Sequence, residues 1–158
     1  MAPPLLRLAT FLPYRLSFTS NAVSEMIASR YQARFGLSVP EWRLIAVIGE
    51  QKRIAQQEIC RITRMDKVTV SRAAMALANR KLVERQDNPA DKRSHLLLLS
   101  KAGAALYADI VPRAAAMEQS VFACLTADER AQLMDLLGRI DSHVDELIRA
   151  GGIDEGES

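Results

Sequence analysis

Lys67, Thr69, Val70, Ser71 and Arg72 follow Asp66 within a turn and a half of helix, and about twenty residues later Asp91-Lys92-Arg93 occupies a turn. These groups supply an ammonium, two hydroxyls and a guanidinium, all short or forked donors suited to phosphates and base edges. On a helix Thr69 and Arg72 share one face, as do Lys67, Val70 and Ser71, while Val68 and Met75 point toward a core. Lys67 then reaches a phosphate, and Thr69 and Ser71 reach a phosphate or a base edge. Val70 meets a thymine methyl, and Arg72 makes a bidentate contact to guanine worth about 1–3 kcal/mol of discrimination. Arg93, with Lys92 beside it, fits a hairpin tip entering the negative minor groove. Asp91 would orient that tip through a charge-assisted hydrogen bond.

Such residues need two elements to hold them: a helix narrow enough for a major groove and a hairpin beside it. The spacing of apolar residues predicts both. A first helix over 12–35 repeats Phe18, Ala22, Met26 and Tyr31 at three to five residues, with Pro13 in its first turn and Gly36 at its end. A second begins at Pro40-Glu41-Trp42 and buries Leu44, Ile45, Val47 and Ile48. A short third covers 55–62 with Ile59 inward, and Asp66 caps a fourth that runs to about Arg80. Strands over 82–86 and 94–99 flank the turn formers Asp87-Asn88-Pro89-Ala90-Asp91, which makes a β-hairpin. A long helix from Lys101 to Cys124 carries Pro112 as an expected kink. Thr126 and Glu129 then form a capping box ahead of a last helix. Its stripe runs through Leu133, Leu136, Leu137, Ile140, Val144, Leu147 and Ile148. The fold expected is mainly α: a winged helix-turn-helix with a two-stranded β-hairpin wing between N- and C-terminal helices.

The charge is segregated along the chain. Residues 43–101 hold thirteen Lys/Arg against six Asp/Glu, net +7, whereas residues 102–158 hold four against eleven, net −7. A basic middle and an acidic end assign the middle to a polyanion. Cys60 and Cys124 lie far apart with no CxxC pair, so no structural zinc site or disulfide framework is indicated. His95 and His143 fall on different elements and share no ligand spacing, and no metal or other cofactor motif stands out. Neither a phosphate loop, a nucleophile elbow nor a paired-carboxylate constellation is present, so no enzyme is expected. No segment approaches the roughly 20 apolar residues of a membrane span, and a cytoplasmic protein is the expectation.

With these residues in place the sequence resembles the MarR family of winged-helix regulators. The likeness is carried by Asp66-Lys67-Val68-Thr69-Val70-Ser71-Arg72, Leu82-Val83-Glu84-Arg85, Asp91-Lys92-Arg93 and Leu98-Leu99-Ser100-Lys101-Ala102-Gly103. It extends over about 12–147. Two positions depart: Arg64 and Lys81 stand where the family often has Gly, in the turn before the recognition helix and just before the Leu-Val-Glu-Arg strand. The resemblance implies one MarR-type domain over 1–150, with a DNA-binding lobe at about 37–100, dimerisation helices at about 11–36 and 101–150, and a loose acidic tail at 151–158. It implies a homodimer on double-stranded DNA, with near-palindromic half-sites roughly 34 Å apart. The stripe from Leu133 to Ile148 is also wide for one small domain to bury, which independently favours a second copy.

The family's small effectors bind between the dimer helices and the lobe. Tyr14, Arg15, Phe18, Asn21, Trp42 and Arg43 are the candidate pocket here, aromatic walls with polar anchors. The opening residues are similar to the branch that answers to aromatic acids or their coenzyme A thioesters, which implies a repressor released by such a ligand. Two other readings remain at this point: a redox regulator acting through Cys60, near Arg61 and Arg64, and a helical interaction module that touches no nucleic acid.

Overall fold

Pro13 and Gly36 bracket the first long helix. In the computed structural model, which describes residues 5–91 and 93–151, a 3-10 turn at Leu8–Thr10 leads into α1, Leu12–Phe35. Gly36 closes α1 in the left-handed region at φ 61°. Helix α2, Val39–Gln51, starts one residue earlier than Pro40 suggested, because Ser38 and Glu41 form a capping box that the sequence reading missed. Next come β1 (Arg53–Ala55), α3 (Gln56–Thr63), α4 (Lys67–Asn79), β2 (Val83–Asp87), β3 (His95–Leu99), α5 (Lys101–Val121) and α6 (Ala127–Arg149).

The expected β-hairpin wing is present as β2 and β3, and β1 adds a third antiparallel strand, giving the order β1-β3-β2. Ile54 opposes Leu97, and Val83 opposes Leu99 across the other edge. Strand β1 has three residues, too short to show a period of two in sequence.

The chain divides into two compact units, the first ending at Ala115 and the second beginning at Ala116. In the first, Leu37, Leu44, Ile45, Ile48, Ile59, Val70, Leu77, Leu97 and Ile110 are shut away from solvent. Each such side chain contributes about 1.5–3 kcal/mol when fully buried. Tyr31 joins this core by stacking on Trp42, with ring centroids 5.0 Å apart and planes 17° from parallel. Its buried hydroxyl has no partner among the described residues, and desolvation raises its pKa above the ordinary tyrosine value.

Helix α5 is joined to the turn between α4 and β2. The Ser100 hydroxyl donates to the Lys81 carbonyl at 2.7 Å and accepts from the Gly103 N–H at 3.0 Å. The Ser100 N–H donates to the Leu82 carbonyl at 3.0 Å. The helix continues unbroken through Pro112 but stops at Val121, short of the expected Cys124.

Lys52, Arg64 and Lys81 hold positive φ, at 68°, 53° and 59°. The last two are the positions where the resemblance leads one to expect Gly. The turns form nonetheless, with a side chain carried into a region that costs L-residues roughly 1–2 kcal/mol. Lys81→Gly is therefore expected to raise stability, but by no more than about 1 kcal/mol, because glycine's extra freedom in the unfolded chain offsets part of the relieved strain. Thermal unfolding of the two proteins compared side by side checks this.

In the second unit Thr126 and Glu129 make the predicted capping box. The Glu129 N–H donates to Thr126 Oγ1 at 3.2 Å, and the Thr126 N–H donates to Glu129 Oε2 at 2.7 Å. The Thr126 N–H, and next the Thr126 hydroxyl donating to the same Oε2 at 3.0 Å, hold the Glu129 carboxyl below the ordinary glutamate range. Along α6, Leu136, Ile140, Val144, Leu147 and Ile148 are all exposed, Ile148 to 63%.

Candidate nucleic-acid interface

The turn between α3 and α4 is satisfied locally. Thr63 Oγ1 donates to the Ile59 carbonyl at 2.6 Å and accepts from the Met65 N–H at 3.3 Å. Arg64 in its left-handed conformation then reverses the chain. Asp66 caps α4: one carboxylate oxygen accepts the Thr69 N–H at 2.9 Å and the other accepts the Thr69 hydroxyl at 2.6 Å. The hydroxyl bond first, and the backbone bond next, hold the Asp66 carboxyl below the ordinary aspartate range. A depressed folded-state pKa means this cap contributes above the unfolded carboxylate's pKa and is lost as pH falls through the folded value.

Thr69 is therefore committed to the cap. Its hydroxyl hydrogen already goes to Asp66, so only a lone pair remains, which a phosphate cannot use. The expected face also needs rotation. Val70 is fully buried, not presented to a groove, whereas Val68 and Met75 are 55% and 51% exposed, not in the core. The cause is the row Val70, Ala73, Ala74, Leu77, buried at i, i+3, i+4 and i+7. The pattern was present in the sequence, but counting the alanines as core was needed to see it. That rotation leaves Lys67, Val68, Arg72 and Met75 exposed, with Ser71 half-buried. Arg72 makes no hydrogen bond or ion pair with the described residues.

At the wing, Asp91 Oδ1 accepts from the Arg93 backbone N–H at 3.0 Å. The carboxylate thus orients the turn rather than gripping the guanidinium, as the sequence had suggested. Asn88 supports the same turn, donating from Nδ2 to Ser94 Oγ at 2.9 Å and accepting the Ala90 N–H at 3.0 Å. Asn88, Asp91, Arg93, Ser94 and His95 face Gln56, Gln57 and Glu58 of α3 across a cleft. Lys92 lies outside the described residues.

The six candidate pocket residues do not converge. Tyr14 and Phe18 pair at 6.1 Å, and the Arg15 guanidinium sits 5.3 Å over the Phe18 ring. Asn21 is exposed nearby on α1. Trp42 instead stacks on Tyr31, seventeen residues beyond Tyr14 and so about 25 Å along the same helix. Trp42 and the half-buried Arg43 are thus placed with the core at the far end of α1. Cys60 is half-buried, and Cys124 is exposed. His95 lies 3.4 Å from Asp87 across the wing. No group of three metal-ligating side chains occurs among the described residues.

A capped helix with free donors, a preceding helix joined by a tight turn and a braced hairpin define a winged helix-turn-helix DNA-binding protein. The model of the MarR family matches residues 35–94, from the end of α1 through the wing turn. A crystal structure of a MarR/EmrR family transcriptional regulator from Acinetobacter sp. ADP1 superposes with a TM-score of 0.83 at 26% identity, covering 89% of this chain and 99% of that one. The HTH-type transcriptional repressor NicR of Pseudomonas putida is 32% identical over 89 residues, 56% of each chain. The fold also matches Bordetella bronchiseptica BpsR, whose DNA binding is regulated by 6-hydroxynicotinic acid, with a TM-score of 0.68 at 24% identity over 80% of this chain and 98% of that one. Over residues 35–94 this chain is similar to the MarR family, and its fold is that of a MarR-family transcriptional regulator. Among the described residues no helix is long and apolar enough to cross a membrane.

Proposed function

We propose that the chain is a homodimeric repressor that binds a near-palindromic duplex through α4 and the wing and is released by a small aromatic acid or its coenzyme A thioester. The observation that carries the DNA reading is the exposed, unpaired Arg72 at the centre of the α4 face. Lys67 and Ser71 flank it toward phosphates and base edges, and Val68 takes the thymine-methyl role first expected of Val70. Arg93, and Lys92 beside it in sequence, supply the minor-groove contact, with Asp91 orienting the Arg93 backbone.

The dimer reading is supported by the two exposed apolar surfaces, one on the 3-10 turn and the start of α1 and one along α6. Leu12 is 74% exposed and Phe18 52%, an apolar density that monomers rarely leave to water. The ligand reading is supported by Tyr14, Arg15 and Phe18, an aromatic pair under a guanidinium, which suits a flat anion. BpsR, of the same fold, answers to an aromatic acid, and the word repressor is NicR's.

Selection of duplex fragments from the source genome at low salt is the test. The wild type is expected to enrich a near-palindrome with half-sites one helical turn apart and to scatter light as a dimer. Leu136→Asp should shift it toward monomer and lose operator affinity. Recovery of fragments with no shared sequence ends the specific-regulator reading, and a monomeric wild type ends the dimer reading.

A further inference from the structure

A side chain that joins the end of α1 to the end of α4 lies away from the groove face. Arg80 is the cap residue of α4, with its own N–H donating to the Ala76 and Ala78 carbonyls. Its guanidinium crosses to α1: Nη1 donates to the Gly36 carbonyl at 2.9 Å and Nη2 to the Phe35 carbonyl at 2.8 Å. Phe35 is the last residue of α1 and Gly36 its cap. The terminal carbonyls of a helix lack intrahelical donors and sit at the negative end of its dipole, so a cation with two parallel N–H groups suits them well. The guanidinium has no carboxylate partner among the described residues. It lies eight residues from Arg72, about 12 Å along α4, far from the start of the helix that would enter a groove.

We infer that Arg80 is a positioning residue for operator binding: it fixes the pitch of α4 against α1, so that a displacement of α1 is passed directly to the DNA-reading helix. This rests on the proposed function, in which α1 belongs to the dimer arm and α4 enters the major groove. A second contact between α1 and the lobe, the Tyr31–Trp42 stack, is apolar and less directional. The forked bond is directional. A ligand seated near Tyr14, Arg15 and Phe18 would act on the far end of the same α1, making Arg80 the point where its effect reaches the lobe.

The experiment measures binding of a genome-selected duplex over a salt series by wild type, Arg80→Ala and Arg80→Lys, with circular dichroism confirming that each is folded at the assay temperature. Arg80→Ala is expected to bind about tenfold more weakly, within the range by which residues remote from a ligand tune coupling. The slope of log K against log salt should stay that of the wild type, because no phosphate contact is lost. Arg80→Lys should resemble Ala more than wild type, since an ammonium cannot fork onto both carbonyls in one plane. A slope shallower by about 0.9 would instead make Arg80 a phosphate ligand and overturn the inference. Wild-type affinity in Arg80→Lys overturns it equally, and that variant carries the test alone where Arg80→Ala does not fold. Failure of the wild type to select any duplex is a different result and falls on the proposed function.

Discussion

Gly103→Ala is expected to destabilise the protein by about 3 kcal/mol or more, above the usual cost of overpacking because backbone is in the way. A Cβ built at this position would lie 1.9 Å from the Leu82 carbonyl oxygen. That oxygen belongs to the segment leading into β2 and already accepts the Ser100 N–H. A flexible side chain could yield, but this carbonyl cannot move without breaking the join between α5 and the turn after α4. The fall in thermal midpoint should be on the order of 10 °C for a chain this size. Gly138→Ala is the internal control, since nothing lies within 4 Å of its Cβ position and alanine favours helix. A Gly103→Ala protein as stable as wild type would show that α5 does not seat on Leu82 in solution.

What sequence revealed here follows from the length and redundancy of each signal. Helix α6 declares itself through seven apolar residues on one helical face and a two-sided cap, and the structure caps it at Thr126 as expected. The wing turn was legible because Asn88, Pro89 and Asp91 each restrict the backbone for a separate reason. The third strand was not, since Arg53, Ile54 and Ala55 pair only through β3, more than forty residues away. The rotation of α4 was misread by weighting Val68 and Met75 as core while discounting Ala73 and Ala74. In a tight helix-on-helix contact the small side chains mark the closest approach. Thr69 was misassigned for another reason: a hydroxyl beside a capping carboxylate is spent on the cap, and composition alone does not show which way its proton points. The candidate pocket mixed residues that share a chemistry but belong to two helices: Trp42 of α2 packs on Tyr31, about 25 Å along α1 from Tyr14, a separation that only the Tyr31–Trp42 stack made visible.

Arg72→Ala is expected to lower affinity for the selected operator by roughly 5- to 150-fold, the equivalent of the 1–3 kcal/mol carried by a bidentate base contact. Binding to unrelated duplexes should fall much less, because one lost cation among several changes the counterion term only modestly. Arg93→Ala gives the contrasting result, an even weakening across sequences with little change in preference. Val68 supplies a second and independent reading of the same face. It is exposed four residues before Arg72, so the two side chains lie on adjacent turns of one stripe. Replacing thymine by uracil at the neighbouring base step removes only a methyl group, and wild type should then bind about fourfold more weakly, the loss of one buried apolar carbon. Val68→Ala should bind the thymine duplex less well and be nearly indifferent to the uracil exchange, since the partner of that methyl is gone. An Arg72→Ala protein with unchanged sequence preference would remove α4 from the major groove. Equal sensitivity of wild type and Val68→Ala to uracil would leave α4 there but in a different rotation.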